Sequence, residues 1–192
     1  MAKKTVKKPK KKKLQLVSKI RNRILRLWSV KVRERDGGKC IHCGFVAGTL
    51  NDKGNAVKCD AHHLLTKFSK NNPLKFDIRN GVTLCPSCHK FSNVFSAHHC
   101  PILFAEWIRL NRSDQYQFVL TFHAEKVDLD NRVVLEAIES RLKNDIVFDL
   151  EELKAIDLAN PRKKKEPKVK VIKETLDDLF DEYDEYSSSS SS

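Results

Sequence analysis

No stretch of this sequence approaches the roughly 18 consecutive apolar residues that a membrane-spanning helix requires. Its lysine-rich start runs only into the short apolar stretch Leu14 to Val17, not into the core of an export signal. These two absences predict a soluble, unexported chain with no membrane partner. Glycine and proline number only 6 each among 192 residues, and no internal repeat is present, which excludes fibrous and repetitive architectures. Acidic residues are scarce where basic ones cluster. Residues 1–39 hold 16 Lys and Arg against 2 acids and residues 162–173 hold 7 against 1, whereas residues 174–186 hold 7 acids and no base. The net charge of +12 is therefore carried by the arms, and the middle of the chain, 40–161, is nearly neutral. A neutral core with basic arms fits a binder of DNA, with RNA not excluded, because affinity for a polyanion grows with the number of phosphates neutralised. For residues 1–13 alone the competing reading is a solubilising tail.

What is present is cysteine in a particular pattern. Four of the six cysteines fall into two Cys-x-x-Cys pairs, Cys40/Cys43 and Cys85/Cys88. In an unexported chain of this size that spacing reads as metal ligation in a reducing compartment rather than as a disulfide framework. Four thiolates complete the tetrahedral shell of a structural Zn²⁺, which is then closed to substrate and acts as a staple. His62, His63, Asn80 and His89 are left over for a second task. Cys59 and Cys100 read as small buried hydrophobes, His42 and His123 as surface or core residues, and Trp28 and Trp107 as core anchors.

The periodicity predicts an α+β protein. Residues 1–16 read as a disordered basic arm. From Val17 to Arg35, Val17, Ile20, Ile24, Leu27 and Trp28 recur at helical spacing, and Gly37-Gly38 ends the helix. Its other face carries Lys19, Arg21, Arg23, Arg26, Arg33 and Arg35, and the arginines are the candidate nucleic-acid contacts. Residues 57–65 read as extended, 68–81 as a polar loop and 82–84 as a short strand, with a helix starting near Pro86. Further helices are predicted over 102–110, 116–126 and 132–143. The expected organisation is a main domain over 17–110 that includes the basic helix, a helical extension over 111–155, and a basic linker with a disordered acidic and serine-rich tail over 156–192. That tail, with Leu176, Leu179 and Phe180 among its acids, is a candidate surface for a protein partner or for masking the chain's own cations, beside the plainer reading of a solvated end.

Asp60-Ala-His-His63, Asn80 within Arg79-Asn-Gly-Val-Thr-Leu84, and Cys85-Pro-Ser-Cys-His89 together resemble the HNH endonucleases, whose ββα-metal motif is held in many members by two Cys-x-x-Cys knuckles. The resemblance spans about residues 28–108, and Ser96-Ala-His98 followed by Pro101 and Trp107 is similar to phage members. It implies a zinc-stapled ββα-metal core with flanking helices and a metal-dependent hydrolysis of DNA phosphodiesters. It further implies His63 as the general base, His62 and His89 as ligands of a catalytic divalent metal, and Asn80 as the residue that orients the base and its loop. Mg²⁺ or Mn²⁺ is the expected cation, with Zn²⁺ and Ni²⁺ as further candidates, and water attacks phosphorus to leave 3′-hydroxyl and 5′-phosphate ends. The chemistry suits these residue types. A phosphodiester needs a base near neutrality, which imidazole supplies, and a cation beside the developing charge.

One geometric condition accompanies these roles. Neighbours in a regular strand point to opposite faces, so His62 and His63 serve one site only at a strand end, a bulge or a strong twist. Asp60 shares the side of His62 and is a candidate outer-shell partner or ligand. His98 is a candidate third ligand, but a continuous helix from His89 would place it on the opposite side, so a bend is required. A zinc deaminase is excluded because Leu64 and Leu65 stand where its His-x-Glu needs an acid, and a classical zinc finger because no spaced His pair follows a Cys pair. The remaining rival is a noncatalytic zinc module that binds nucleic acid or protein. The expected location is intracellular, in the cytoplasm of a host cell if viral, or the nucleus of a eukaryotic one. The oligomeric state is not legible.

Overall fold

The computed structural model of the chain describes residues 10–65, 71–147 and 149–162. The expected basic arm falls largely outside these residues, as does nearly all of the linker and tail. Contacts divide the chain after Pro161, and the elements below belong to the first unit. The architecture is mixed helix and small sheet, as the periodicity predicts: α1 (Lys10–Arg35), β1 (Asp60–His63), β2 (Gly81–Leu84), α2 (Pro101–Asn111), α3 (Ser113–Phe122), α4 (Arg132–Lys143) and α5 (Leu150–Ala159). None of the helices among the described residues is long and apolar enough to cross a membrane.

Helix α1 begins at Lys10 rather than near Val17 and ends at Arg35. Gly37 and Gly38 follow with φ of 65° and 67°, the left-handed conformation that glycine adopts without a Cβ penalty. Of the face predicted to be apolar, Val17, Ile20, Ile24 and Trp28 are buried and Leu27 is partly so; with Val32 they pack with Phe76, Val127, Leu129, the α4 residues Val134, Leu135, Ile138 and Leu142, and Leu153 of α5. Each such aliphatic or aromatic side chain contributes roughly 1.5–3 kcal/mol by leaving water. Helix α5, which the periodicity did not predict, is started by Asp149, whose carboxylate accepts from the Glu151 and Glu152 amides at 3.0 and 3.2 Å. It is held to α4 through Asn131, which caps α4 by accepting from Val133 N at 3.1 Å and donates to Asp157 at 3.0 Å and to the Asn160 carbonyl at 2.8 Å. The ordered unit thus runs past the expected end near residue 155.

β1 and β2 form a two-stranded antiparallel ribbon in the register Asp60↔Leu84, Ala61↔Thr83, His62↔Val82 and His63↔Gly81. One face rests on α1. A Cβ on Gly81 would lie 2.6 Å from both Trp28 Cζ2 and Val32 Cγ2, so the ribbon approaches the helix as closely as it does only because residue 81 has no side chain. The other face belongs to a second core of Cys40, Cys59, Val82, Leu84, Cys85, Cys88, Ala97, Phe104 and Ile108. The ribbon therefore separates two cores, and consecutive β1 residues face different ones.

Candidate metal centre

The first knuckle is set by local backbone chemistry. The Cys40 N–H donates to the Phe45 carbonyl at 2.8 Å and the Gly44 N–H to the Cys40 carbonyl at 2.9 Å, with Gly44 at φ 74°. The Ile41 amide donates to the Thr83 carbonyl at 2.9 Å, which joins this knuckle to β2. The second knuckle continues directly from β2, so the pairing that builds the ribbon also brings the four cysteines together. Their sulfurs all lie within 4.8 Å of one another, and Cys43 and Cys85 Sγ are 3.6 Å apart. A tetrahedral zinc with Zn–S of about 2.3 Å requires sulfurs roughly 3.8 Å apart, so the donor set and its spacing fit a structural Zn²⁺. Burial raises Cys40, but backbone N–H groups of Cys43, Cys85 and His42 aimed at its sulfur outweigh that and bring it below the ordinary thiol value. Cys59 is not part of the cluster, is 3% exposed and is pushed by burial up to about 11, an inert packed thiol as expected.

The helix expected from Pro86 is a single π-turn, Ser87–Phe91, closed by the Ser92 amide on the Ser87 carbonyl at 3.0 Å. The chain then turns back on itself. The Ala97 N–H donates to the Cys88 carbonyl at 2.9 Å and the His98 N–H to the His89 carbonyl at 3.2 Å. This return supplies the bend that convergence demands and sets His98 beside His89 instead of opposite it. With His62 from β1 they form a second cluster, whose ligand nitrogens also lie within 4.8 Å of one another.

Orientation within this cluster follows from hydrogen-bond chemistry. Asp60 Oδ2 lies 3.2 Å from His89 Nδ1; a carboxylate accepts, so Nδ1 carries the proton and Nε2 keeps its lone pair. That Nε2 faces His98 Nε2 at 3.2 Å, close to the N···N spacing of roughly 3.0–3.4 Å that a shared cation with bonds of about 2.1 Å would set. His62 sits edge-on to His89, His98 and Phe104, with ring centroids 5.1, 5.3 and 5.3 Å away. Burial, then His89 and His98, push His62 down to about 3, leaving a neutral imidazole with a lone pair to give. His89 is likewise lowered, chiefly by burial, with Asp60 opposing. Three imidazoles are a fitting donor set for a divalent cation, and the exposed His98 marks the solvent side.

His63 does not join this cluster. As strand alternation requires, it turns to the α1 face, where its ring stacks on Trp28 at 3.8 Å with 9° between planes. Its Nε2 meets the Lys75 carbonyl at 2.9 Å, so Nε2 carries the proton and Nδ1 is the basic nitrogen. Asn80 is fully buried. Its Oδ1 accepts from the Leu65 amide at 2.7 Å, and its Nδ2 donates to the carbonyls of Leu65 at 3.3 Å and Leu74 at 3.1 Å. The amide thus ties together the chain after His63 and the segment next to Lys75, whose carbonyl holds His63.

The arginines expected to meet nucleic acid are mostly engaged within the chain. Arg21 donates to the Leu129 carbonyl at 3.0 and 2.7 Å and pairs with Asp130. Arg23 holds Glu139 through two contacts of 2.5 Å, and Arg33 donates to Ser29 Oγ at 2.6 Å. Arg35 spans Asp36 and the carbonyls of Ile78 and Gly81, the last two at 2.6 Å. Arg26 is exposed, with no side-chain hydrogen bond or ion pair among the described residues. For Arg21 and Arg23 the reason is α4 and the turn that leads into it: packed along α1, they present Glu139 and Asp130 to a face that a helical wheel assigns to solvent.

His42 was not singled out by sequence. Its Nδ1 lies 3.3 Å from Cys88 Sγ, and its ring stacks on Phe95 at 3.7 Å and 8° and meets Trp107 edge-on at 5.2 Å. It therefore links the cysteine cluster to the segment that carries His98. The only signal was its position inside a knuckle. No family model matches this chain, and no curated protein or solved structure is significantly similar to it.

Proposed function

We propose that the chain is a metal-dependent endonuclease of the HNH type that hydrolyses DNA phosphodiester bonds, with a ββα-metal core formed by β1, β2 and the turn after Cys88. The observation that carries this reading is the convergence of His62, His89 and His98, with ligand nitrogens within 4.8 Å, beside a Cys₄ cluster that needs none of them. A divalent cation held by these three imidazoles would supply Lewis-acid stabilisation of charge on the phosphodiester.

The remaining roles belong to the chain's own groups. His63, its Nε2 proton committed to the Lys75 carbonyl and its ring stacked on Trp28, offers Nδ1 as the base that takes a proton from water; imidazole as a class titrates near neutrality, where such a base works best. Asn80 is a positioning residue that acts through Leu65, Leu74 and the adjoining Lys75 carbonyl. Asp60 orients His89. Attack of water on phosphorus would leave 3′-hydroxyl and 5′-phosphate ends.

A second reading is a noncatalytic zinc module, favoured by the seating of His63 on the Trp28 face, apart from the other three histidines. Cleavage separates the two. Supercoiled, linear and branched DNA incubated with the protein and Mg²⁺ or Mn²⁺ should be cut, and chelator should stop it. His63→Ala should lower the rate at least about a hundredfold, the scale of a lost general base, with zinc content and DNA binding retained. Cutting that survives chelation, or equal rates for the two proteins, rejects the HNH mechanism.

A further inference from the structure

The segment joining His89 to His98 carries side chains for which the proposed hydrolysis has no use. Phe91 is 74% and Val94 82% exposed, and the adjoining Lys90 is exposed as well. The loop that presents them is braced. Ser92 Oγ accepts from the amides of Val94 at 3.3 Å and Phe95 at 3.1 Å, Phe95 turns inward onto His42, and the Ala97 and His98 amides are paired to the second knuckle. The Cys100 thiol reaches the Asn93 carbonyl at 3.3 Å, which draws the start of α2 to the same edge, with Ile102 84% exposed. One aromatic of the loop is tucked in while large apolar neighbours are held out. Single exposed hydrophobes need no explanation. Several held out by one braced loop between two clustered histidines do.

An occupant of this edge must be apolar where it meets Phe91 and Val94 and anionic close by, where Lys90 lies and where a cation held by the three histidines would sit. The faces of nucleobases beside a phosphate meet both requirements, and an apolar protein surface meets only the first. Resting on the nuclease reading, we propose that Phe91 and Val94 form a wedge that enters the base stack next to the phosphate handled by His62, His89 and His98. The favoured substrate is then DNA whose stack opens easily, at a mismatch, nick or branch, because an apolar side chain inserted between bases must first unstack them.

The test compares the full chain with Phe91→Ala/Val94→Ala; zinc content and melting temperature should agree, since both side chains are in solvent. Duplexes carrying 2-aminopurine at a central position, fully paired or mismatched, are bound in the His63→Ala background and cleaved in the active one. The wedge should brighten 2-aminopurine in the paired duplex, and the double substitution should abolish this. The substitution should also lower the ratio of mismatch to paired-duplex cleavage about tenfold, the scale of one base stacked on a side chain. Equal brightening and an unchanged ratio, with both proteins cutting DNA, would overturn the wedge and leave the nuclease. A wild type that cuts no DNA removes both. Self-association that disappears in the double variant, with DNA behaviour unchanged, would assign the patch to protein contact and likewise overturn the wedge.

Discussion

Gly81→Ala tests how the ribbon is seated on α1. The new Cβ would stand 2.6 Å from Trp28 Cζ2 and from Val32 Cγ2, about 0.8 Å inside the shortest ordinary contact of 3.4 Å. Neither neighbour can retreat easily. Trp28 is 2% and Val32 0% exposed, and the indole is fixed by its Nε1–H on the Asp77 carbonyl at 2.9 Å and by the His63 ring stacked on it. Backbone strain plays no part, since Gly81 has φ of −129°. Overpacking of a filled core costs about 1–3 kcal/mol, and two rigid neighbours put this site in the upper half, about 2–3 kcal/mol. For a unit of this size that corresponds to a fall in melting temperature of roughly 5–10 °C. Because His63 lies opposite Gly81 in the ribbon, DNA cleavage should fall along with stability while zinc content stays the same. Denaturant unfolding of a double-mutant cycle checks the cause: in a Val32→Ala background the same change should cost at least about 0.5 kcal/mol less, the Trp28 clash remaining. A single variant as stable as wild type, or a cycle with no coupling, would refute the close approach of ribbon and helix.

Purified protein should carry one tightly held Zn²⁺, and Cys40→Ser should lose it and unfold more readily, whereas His63→Ala should keep it; metal analysis and circular dichroism in reducing buffer decide. His42→Phe keeps the stack on Phe95 but loses the contact to Cys88 Sγ, and a chelator competition should show zinc held about 10–100-fold more weakly. Asp60→Asn should weaken Mn²⁺ binding at the histidine cluster by a similar 10–100-fold, as for other partners of a metal-ligating histidine, and rising Mn²⁺ should rescue cleavage by Asp60→Asn and His89→Ala but not by His63→Ala. Glu139 is brought down to about 2 from an ordinary 4.5, first by its hydrogen bonds to Arg23 and then by Lys143. A depressed carboxylate stabilises above its unfolded value and loses that contribution as pH falls through its folded one. With Arg23 half exposed, about 1–2 kcal/mol is expected after screening; Glu139→Gln should therefore unfold more easily at pH 7, with the gap closing between pH 4.5 and about 2.

What sequence alone determined here is what short-range geometry governs. The Cys-x-x-Cys spacing forces each pair into one turn, so the Cys₄ cluster was legible from Cys40, Cys43, Cys85 and Cys88. The apolar period of Val17 to Trp28 fixed the buried face of α1, and Gly37-Gly38 its end. Strand alternation left it open whether His62 and His63 share one site, which would need a strand end, bulge or twist, and the structure puts them on opposite faces of the ribbon. Tertiary structure alone decided the rest. His98 meets His89 through amides that pair Ala97 and His98 with Cys88 and His89, a return of chain that no periodicity encodes. Arg21 and Arg23 found Asp130 and Glu139, more than 100 residues away, because α4 packs on α1, and a helical wheel cannot know its neighbour's charges. Gly81, read as the end of a polar loop, instead pairs with His63 and lets the ribbon approach Trp28 and Val32 closely. A local pattern constrains the direction a side chain leaves the backbone; what it meets depends on elements distant in sequence, brought there by burial of the two cores.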